Sequence, residues 1–487
     1  MTRPKLSWSD LSGARVGVWG LGREGHANVR KLDELGAEPV LVDDHPGRPD
    51  VLATGDGGLA ALEHCDVVVK TPGLSRYRPE VARLTERGIP VVGGLGLWLA
   101  EQDRQRVLCV TGTKGKSTTV SVAGHLLTGL GYRCLVGGNI GVVPYDPAEE
   151  AVSGDFDYWV IEVSSYQATD LPCTPPVAAV TSLHPDHLDW HGGVEQYYRD
   201  KLSMCSQPGA DLTVANGDSE LLRQHQELLG PRVEWVSEDD DPDADWMEPL
   251  GLLGRHNRRN ALIARRCLAA LGVPDSGDDQ KLRAAAAGYN GLPSRLAPAG
   301  TVDGVTFVDD SLATNVLPTL AALEAFADRP IALIVGGHDR GIDYAPLAVG
   351  VAARDAPTLV LTLPDSGPRI HAEIDRADTE RADTERADTE RADTDRADTD
   401  RADTDRADTD RADTERAAPG TEVTDCDDLE TAVQAGFRWA RPDGVVLLSP
   451  AAPSFGRFRD YRDRSEAFAR AVHAISQARE LPPEVSF

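Results

Sequence analysis

Three times along this chain an uninterrupted apolar run stops at a glycine-rich or acidic turn, and a helical period takes over. The first run is Ala14-Arg-Val-Gly-Val-Trp-Gly20, followed by Leu21-Gly22-Arg23-Glu24-Gly25 and a helical pattern from His26 to Leu35. A further apolar run, Pro39-Val-Leu-Val, ends at Asp43-Asp44. The second is Arg106-Val-Leu-Cys-Val, which enters Thr111-Gly-Thr-Lys-Gly-Lys-Ser-Thr118 and a helical stretch through Leu130; Asp157-Tyr-Trp-Val-Ile-Glu162 adds a strand ending in a carboxylate. The third begins near Pro298 with Val305-Thr-Phe-Val308 and Ile331-Ala-Leu-Ile-Val335, the latter leading into Gly336-Gly-His-Asp-Arg340-Gly341. Its last strand, Val445-Val-Leu-Leu448, runs into Ser449-Pro-Ala-Ala-Pro-Ser454-Phe455. Short continuous apolar runs alternating with helical periods predict parallel strands buried on both faces, hence an α/β fold class. Ligands of such sheets bind at the carboxyl ends of the strands, where these loops lie.

At 487 residues the chain is too long for one core, so two or three domains are expected. No apolar stretch approaches the roughly 20 residues that span a bilayer, and Met1 to Asp10 lacks a signal-peptide pattern. The seven cysteines show no paired metal-ligand spacing, so a cytoplasmic location is expected. A net charge of −29 argues against nucleic acid or anionic membrane as a partner. Part of that charge is local, because residues 376–415 repeat Arg-Ala-Asp-Thr-Glu/Asp eight times, each unit carrying one net negative charge. A five-residue period places no apolar stripe on a helix, so this tract reads as a low-complexity insertion in a surface loop.

Three motifs carry chemistry. Gly20-x-Gly22-x-x-Gly25 after a strand, with Asp43 near the next strand end, is the dinucleotide-binding fingerprint and raises an NAD-dependent oxidoreductase as a first reading. Gly112-Thr-Lys-Gly115-Lys116-Ser117-Thr118 places Lys-Ser-Thr at a helix start, as ATP phosphate binding requires. Val110 occupies the first glycine position of the strict pattern. Glu162 is placed to hold Mg²⁺ beside a nucleotide. The trio His184, His187 and His191 raises zinc, which the absence of a cysteine partner or a His-Glu-x-x-His helix disfavours.

In their order, Thr111–Thr118, Gly138-Asn139-Ile-Gly, Ile161-Glu-Val-Ser-Ser-Tyr-Gln, Asp186-His187-Leu-Asp, Gly254-Arg-His-Asn257-Arg-Arg-Asn260 and Asp309-Asp-Ser-Leu-Ala-Thr-Asn315 resemble the Mur ligase family, in particular its glutamate-adding members. The resemblance covers nearly the whole chain except the repeat. It implies three domains: a Rossmann-like N-terminal domain (1–104) for a UDP-linked substrate, a central P-loop ATPase-type domain (105–297), and a C-terminal Rossmann-like domain (298–487) for glutamate. The implied reaction phosphorylates the carboxylate of UDP-N-acetylmuramoyl-L-alanine with ATP; the glutamate amine then attacks the acyl phosphate.

By motif position the resemblance implies ATP contacts at Gly112, Thr113, Lys114, Gly115, Lys116, Ser117, Thr118, Asn257, Asn260, Arg295 and Asp310. It implies Mg²⁺ at Ser117, Glu162 and His187, with Lys201 joining if it is carbamylated, and catalytic roles for Lys116, His187 and Lys201. Gly20, Leu21, Gly22, Arg23, Asp43, Thr71 and Asn139 fall to the UDP-linked substrate, and Arg340, Ser454, Phe455 and Tyr461 to glutamate. The first glycine loop thereby becomes a UDP site rather than a NAD site.

The chain departs from the D-glutamate-adding pattern. Leu312 stands where that pattern has lysine, Arg340 replaces another lysine, and Pro293-Ser294-Arg295 replaces Pro-His-Arg. These departures, with Val18-Trp-Gly-x-Gly-Arg-Glu-Gly25, Val69-Lys-Thr-Pro-Gly73, Gly367-Pro-Arg-Ile-His371 and Ala452-Pro-Ser-Phe-Gly456, resemble a subgroup that adds L-glutamate. A pathway epimerase is then implied, a monomer is expected, and hinges are expected near Leu292 to Pro298. Competing readings are a D-glutamate-adding ligase, a folylpolyglutamate synthase-like ligase and an inactive binding protein. The N-terminal glycine loop argues against the second, and the joint presence of Lys116, Glu162, His187 and Lys201 against the third.

Overall fold

A computed structural model describes residues 3–381 and 421–480; most of the Arg-Ala-Asp-Thr repeat lies outside the described residues. The chain divides into two compact units, residues 1–291 and 292–487.

The first unit holds two parallel sheets. Strands β1 (Val16–Trp19), β2 (Val40–Asp43), β3 (Leu52–Ala53), β4 (Val67–Lys70) and β5 (Val91–Gly93) form the order β3-β2-β1-β4-β5. The chain reverses direction across the sheet between β1 and β4, so the loops after these two strands flank one crevice. Strands β6 (Val107–Thr111), β7 (Cys134–Gly138), β8 (Tyr158–Glu162), β9 (Val177–Val180), β10 (Leu212–Asn216) and β11 (Val233–Val236) form the order β11-β10-β9-β6-β8-β7. Here β6 lies between β8 and β9, which brings the three loops following these strands side by side.

Strands β1, β4, β6 and β9 are buried along their full lengths, as sheets covered on both faces require, although only β1 and β6 were read from the sequence as apolar runs. Trp8, Val18, Leu95 and Trp98 pack in one core with Cys109, Ile161 and Val163, so the two sheets of this unit share an apolar layer. The opposite face of the second sheet is covered by helices Lys116–Gly129 and Arg255–Ala270.

The second unit has one sheet, from β12 (Ala297–Val302), β13 (Val305–Asp309), β14 (Ile331–Val335), β15 (Thr358–Thr362), β16 (Glu422–Asp425) and β17 (Val445–Leu448). Its order is β12-β13-β17-β14-β15-β16, antiparallel only between β12 and β13. The last strand inserts between β13 and β14, which gathers the Asp309–Asn315, Gly336–Gly341 and Ser449–Phe455 loops at one sheet end. Among the described residues no helix is long and apolar enough to cross a membrane.

Candidate active site

The loop between β6 and helix Lys116–Gly129 is built around its own lysine. Lys116 Nζ donates to the carbonyl oxygens of Gly112 at 2.9 Å and Thr113 at 3.2 Å. Gly115 takes φ of 88°, and a Cβ there would sit 2.7 Å from Asn260 Oδ1, so glycine is needed twice over. Asn260 Nδ2 in turn donates to Asn257 Oδ1 at 3.3 Å, which places both asparagines expected to contact ATP beside the loop. Lys114 N donates to Ser182 Oγ at 2.8 Å, and the Thr113 hydroxyl bonds Tyr197 OH at 2.8 Å.

Glu162, at the end of β8, is 1% exposed and uses both oxygens: Ser117 Oγ donates to one at 2.7 Å and Asn139 Nδ2 to the other at 2.7 Å. The sequence placed Ser117 and Glu162 together as metal ligands and Asn139 with the other substrate; the structure puts all three in one chain of contacts. A hydroxyl and a carboxylate at the mouth of a phosphate loop are hard oxygen donors suited to Mg²⁺, which completes its shell with water and phosphate. Among the described residues no three His, Cys, Asp or Glu side chains cluster as a metal-holding group.

Lys201 enters from helix Val194–Leu202 and donates to Gly112 O at 3.0 Å, with its ammonium 5.1 Å from the Tyr197 ring. Burial, reinforced by Lys116, pushes its pKa well below the usual lysine value. A neutral amine with a lone pair is the form that adds CO₂. His187 is a non-glycine residue in left-handed conformation, φ 52°; its side chain is half-exposed, and partial desolvation lowers its pKa. His191 is buried instead, with Nδ1 2.6 Å from Asp200 Oδ2 and Nε2 3.0 Å from Ser165 Oγ.

The first glycine loop is tied to its sheet by Asp43, whose carboxylate accepts from Leu21 N at 2.7 Å and His45 N at 2.9 Å. Gly25 packs so closely that a Cβ would collide with the Gly20 carbonyl, and Thr71 lines the same contact. Gly22, at the exposed start of helix Arg23–Glu34, is the helix N-cap. Arg23 reaches into the second sheet's loops, donating to Gly138 O at 2.8 Å and Gly141 O at 2.9 Å. Lys70 and Arg76 both pair with Asp170 at 2.5 Å, binding the loop after β4 to the segment after β8. Sequence reading missed this pair and Asp200; an ionisable residue closing an otherwise apolar strand, as Lys70 does, was the available signal.

In the second unit Gly336 N donates to Pro450 O at 2.8 Å and His338 N to Pro453 O at 2.9 Å, joining the loops that carry Arg340, Ser454 and Phe455. Arg340 and Phe455 are exposed and Ser454 is buried. Arg464, also missed, is 1% exposed and donates to Ser311 Oγ at 2.9 Å and Ala452 O at 3.1 Å, while Tyr461 O accepts from Ser311 Oγ at 3.1 Å. Asp310 accepts from Ser449 Oγ at 2.7 Å and from Leu296 N at 3.2 Å, one residue beyond Arg295; burial pushes its pKa up to about 7.

The Mur ligase middle domain matches residues 110–249. The chain is 39% identical to a UDP-N-acetylmuramoyl-L-alanine--L-glutamate ligase of Micromonospora sp., over 95% of this chain and 97% of the relative. It is 38% identical to the protein of that name from Salinispora tropica, over 95% and 98%, and 35% identical to that of Xanthomonas campestris pv. campestris, over 95% and 96%. In fold it resembles the UDP-N-acetylmuramate-alanine ligase of Thermotoga maritima, with 17% identity, TM-score 0.52 and coverage of 95% of this chain and 100% of that one. The MurF ligase of Thermotoga maritima, solved with ADP, aligns at 14% identity and TM-score 0.52 over 97% and 99%. Matched almost end to end by relatives that are 35% to 39% identical, this protein belongs to the Mur ligase family.

Proposed function

We propose that the protein joins L-glutamate to UDP-N-acetylmuramoyl-L-alanine in cell-wall precursor synthesis, with hydrolysis of ATP to ADP and phosphate. The observation that carries the reading is the joined set Lys116, Ser117, Glu162, Asn139 and Lys201 around one loop. The choice of the L isomer draws on Leu312 and Arg340 and on the names of the relatives. Segments 1–104, 105–297 and 298–487 serve the UDP-linked substrate, ATP and glutamate respectively. The setting is cytoplasmic, the protein acts as a monomer, and an epimerase inverts the added glutamate later.

The acceptor carboxylate oxygen attacks the γ-phosphorus of ATP, and the bond to the ADP oxygen breaks. The glutamate amine then attacks the acyl carbon, loses a proton, and phosphate leaves. Most of the acceleration comes from positioning and from neutralising phosphate charge. Backbone N–H groups of residues 112–118 and the Lys116 ammonium cradle the phosphates, while Asn257 and Asn260 border the base. Ser117 and Glu162 would hold Mg²⁺, with His187 and a carbamate on Lys201 completing the metal-binding set; the metal supplies charge neutralisation on the transferring phosphoryl group. Arg295 and Asp310 serve the nucleotide from the second unit, and Arg340, Ser454, Phe455 and Tyr461 orient glutamate. Gly20, Leu21, Gly22, Arg23, Asp43 and Thr71 serve the UDP end.

The test is ADP release from purified protein with UDP-N-acetylmuramoyl-L-alanine, MgATP and each glutamate isomer in turn. L-glutamate is expected to support turnover. Preference for D-glutamate overturns the isomer, and no release with either overturns the reaction.

A further inference from the structure

His191 ends the short helix Leu188–His191, whose N-cap is His187, and it plays no part in the chemistry above. It is 2% exposed and held on both ring nitrogens. Asp200 can only accept, so Nδ1–H donates to it at 2.6 Å, and Ser165 Oγ closes the other side at 3.0 Å. The second oxygen of Asp200 accepts from Tyr77 OH at 2.5 Å and from Gln196 Nε2 at 2.9 Å. Tyr166 stacks on the His191 ring at 5.6 Å and also lies 5.1 Å from the His187 ring.

These contacts converge on a strained element. His187 opens the turn Leu188–His191 with φ 52° and ψ 39°, a conformation that costs a non-glycine residue about 1 kcal/mol or more. Such strain persists only where surrounding contacts over-determine it. His191 N donates to His187 O at 3.3 Å, so a ring fixed by Asp200 and Ser165 fixes the far end of the same turn. Asp200 directly precedes Lys201, and Ser165 lies three residues beyond Glu162, so one imidazole ties together three segments of the site. Tyr77 adds the loop that follows β4.

We propose that His191, clamped between Asp200 and Ser165 and linked through Asp200 to Tyr77, is a positioning residue that holds His187 in its working conformation. The assignment of His187 to the reaction rests on the proposed function; the positioning itself does not.

Asp200→Asn and Tyr77→Phe, each in the full chain, test it by two readouts. One is the imidazole ¹H–¹⁵N spectrum of histidine-labelled protein, and the other is the split between kcat and the KM for ATP. In Asp200→Asn the Nδ1 proton of His191 is expected to move upfield and the His187 resonances to shift, with kcat falling about 10-fold to 100-fold. The KM for ATP is expected to stay within about twofold, because the phosphate loop is untouched. Tyr77→Phe removes one hydroxyl from a half-exposed ring and is expected to shift His187 in the same direction by a smaller amount. Unmoved His187 resonances in a folded Asp200→Asn overturn the proposal. If that variant does not fold, unmoved resonances in Tyr77→Phe overturn it. A parent protein without glutamate-dependent turnover sinks the reaction alone, since the spectra still decide the positioning.

Discussion

Lys70 buries its ammonium completely, 2.5 Å from the carboxylate of Asp170, which is itself 3% exposed. The two residues are 100 positions apart and join the strand end beside the first glycine loop to the segment after β8. This contact, with Arg76 on the same carboxylate, adds a buried ion pair to the apolar layer that the two sheets of the first unit share.

Removing one partner strands the other charge in the interior. Lys70→Ala is expected to destabilise the protein by about 3 to 5 kcal/mol, read from the urea midpoint of the first unit's unfolding. Burial pushes the Asp170 carboxyl up, but Lys70 and Arg76 outweigh it and hold the pKa below the usual carboxylate range. A depressed carboxylate stabilises above its unfolded pKa, so this contribution is lost as the pH falls through the folded value. Parent stability should therefore drop at acid pH more steeply than that of Lys70→Ala.

Glu162→Gln keeps the size of the side chain and one hydrogen-bond acceptor but removes the charge. Turnover is expected to fall at least about 100-fold, with a higher Mg²⁺ requirement in a titration of ADP release. An unchanged Mg²⁺ requirement would remove Glu162 from the metal site.

Lys201→Ala is expected to lose turnover while retaining ATP, measured by equilibrium binding of a fluorescent nucleotide. Small carboxylic acids added to the variant are expected to restore part of the rate, because they supply the anion a carbamate would provide. Full turnover in the variant without any added acid speaks against the modification.

Gly25→Ala puts a methyl group against the Gly20 carbonyl, a backbone atom that cannot swing away. Overpacking of this kind costs about 1 to 3 kcal/mol. It is expected to appear as a raised KM for the UDP-linked substrate with the KM for ATP preserved.

Asp310 has a pKa raised to about 7, with burial as the main cause, and accepts hydrogen bonds from Ser449 and Leu296. A raised carboxyl stabilises below its unfolded pKa, and that contribution is lost as the pH rises toward about 7. Thermal melts of the parent should fall between about pH 4 and 7 relative to those of Asp310→Asn, whose amide does not ionise. Parallel curves would show that Asp310 does not titrate in this range.

The strands were legible because parallel sheets bury both faces, and Val16–Trp19, Val107–Thr111 and Ile331–Val335 are unbroken apolar runs that stop where the chain turns to its loop. The turn before helix Lys116–Gly129 was legible for a local reason as well: Gly115, Lys116 and Ser117 are neighbours whose spacing alone sets a helix N-terminus. Family membership followed from several such local patterns in order, and the near-complete coverage by relatives bears it out.

What local pattern could not reveal is which distant side chains share a carboxylate. Asp170 gathers Lys70 and Arg76, Asp200 gathers Tyr77 and His191, and Glu162 gathers Ser117 and Asn139. Each set is assembled by sheet order and by helices returning across it, over separations that carry no periodic signal. His191 shows the difference most clearly: beside His184 and His187 in sequence it read as one of three possible zinc ligands. The sequence by itself determined the strands, the loops and the chemical types at their tips. Only the tertiary structure decided that His191 turns inward to Asp200 while Lys201, the next residue, loses its water beneath the phosphate loop, because burial and partner choice depend on the packed chain.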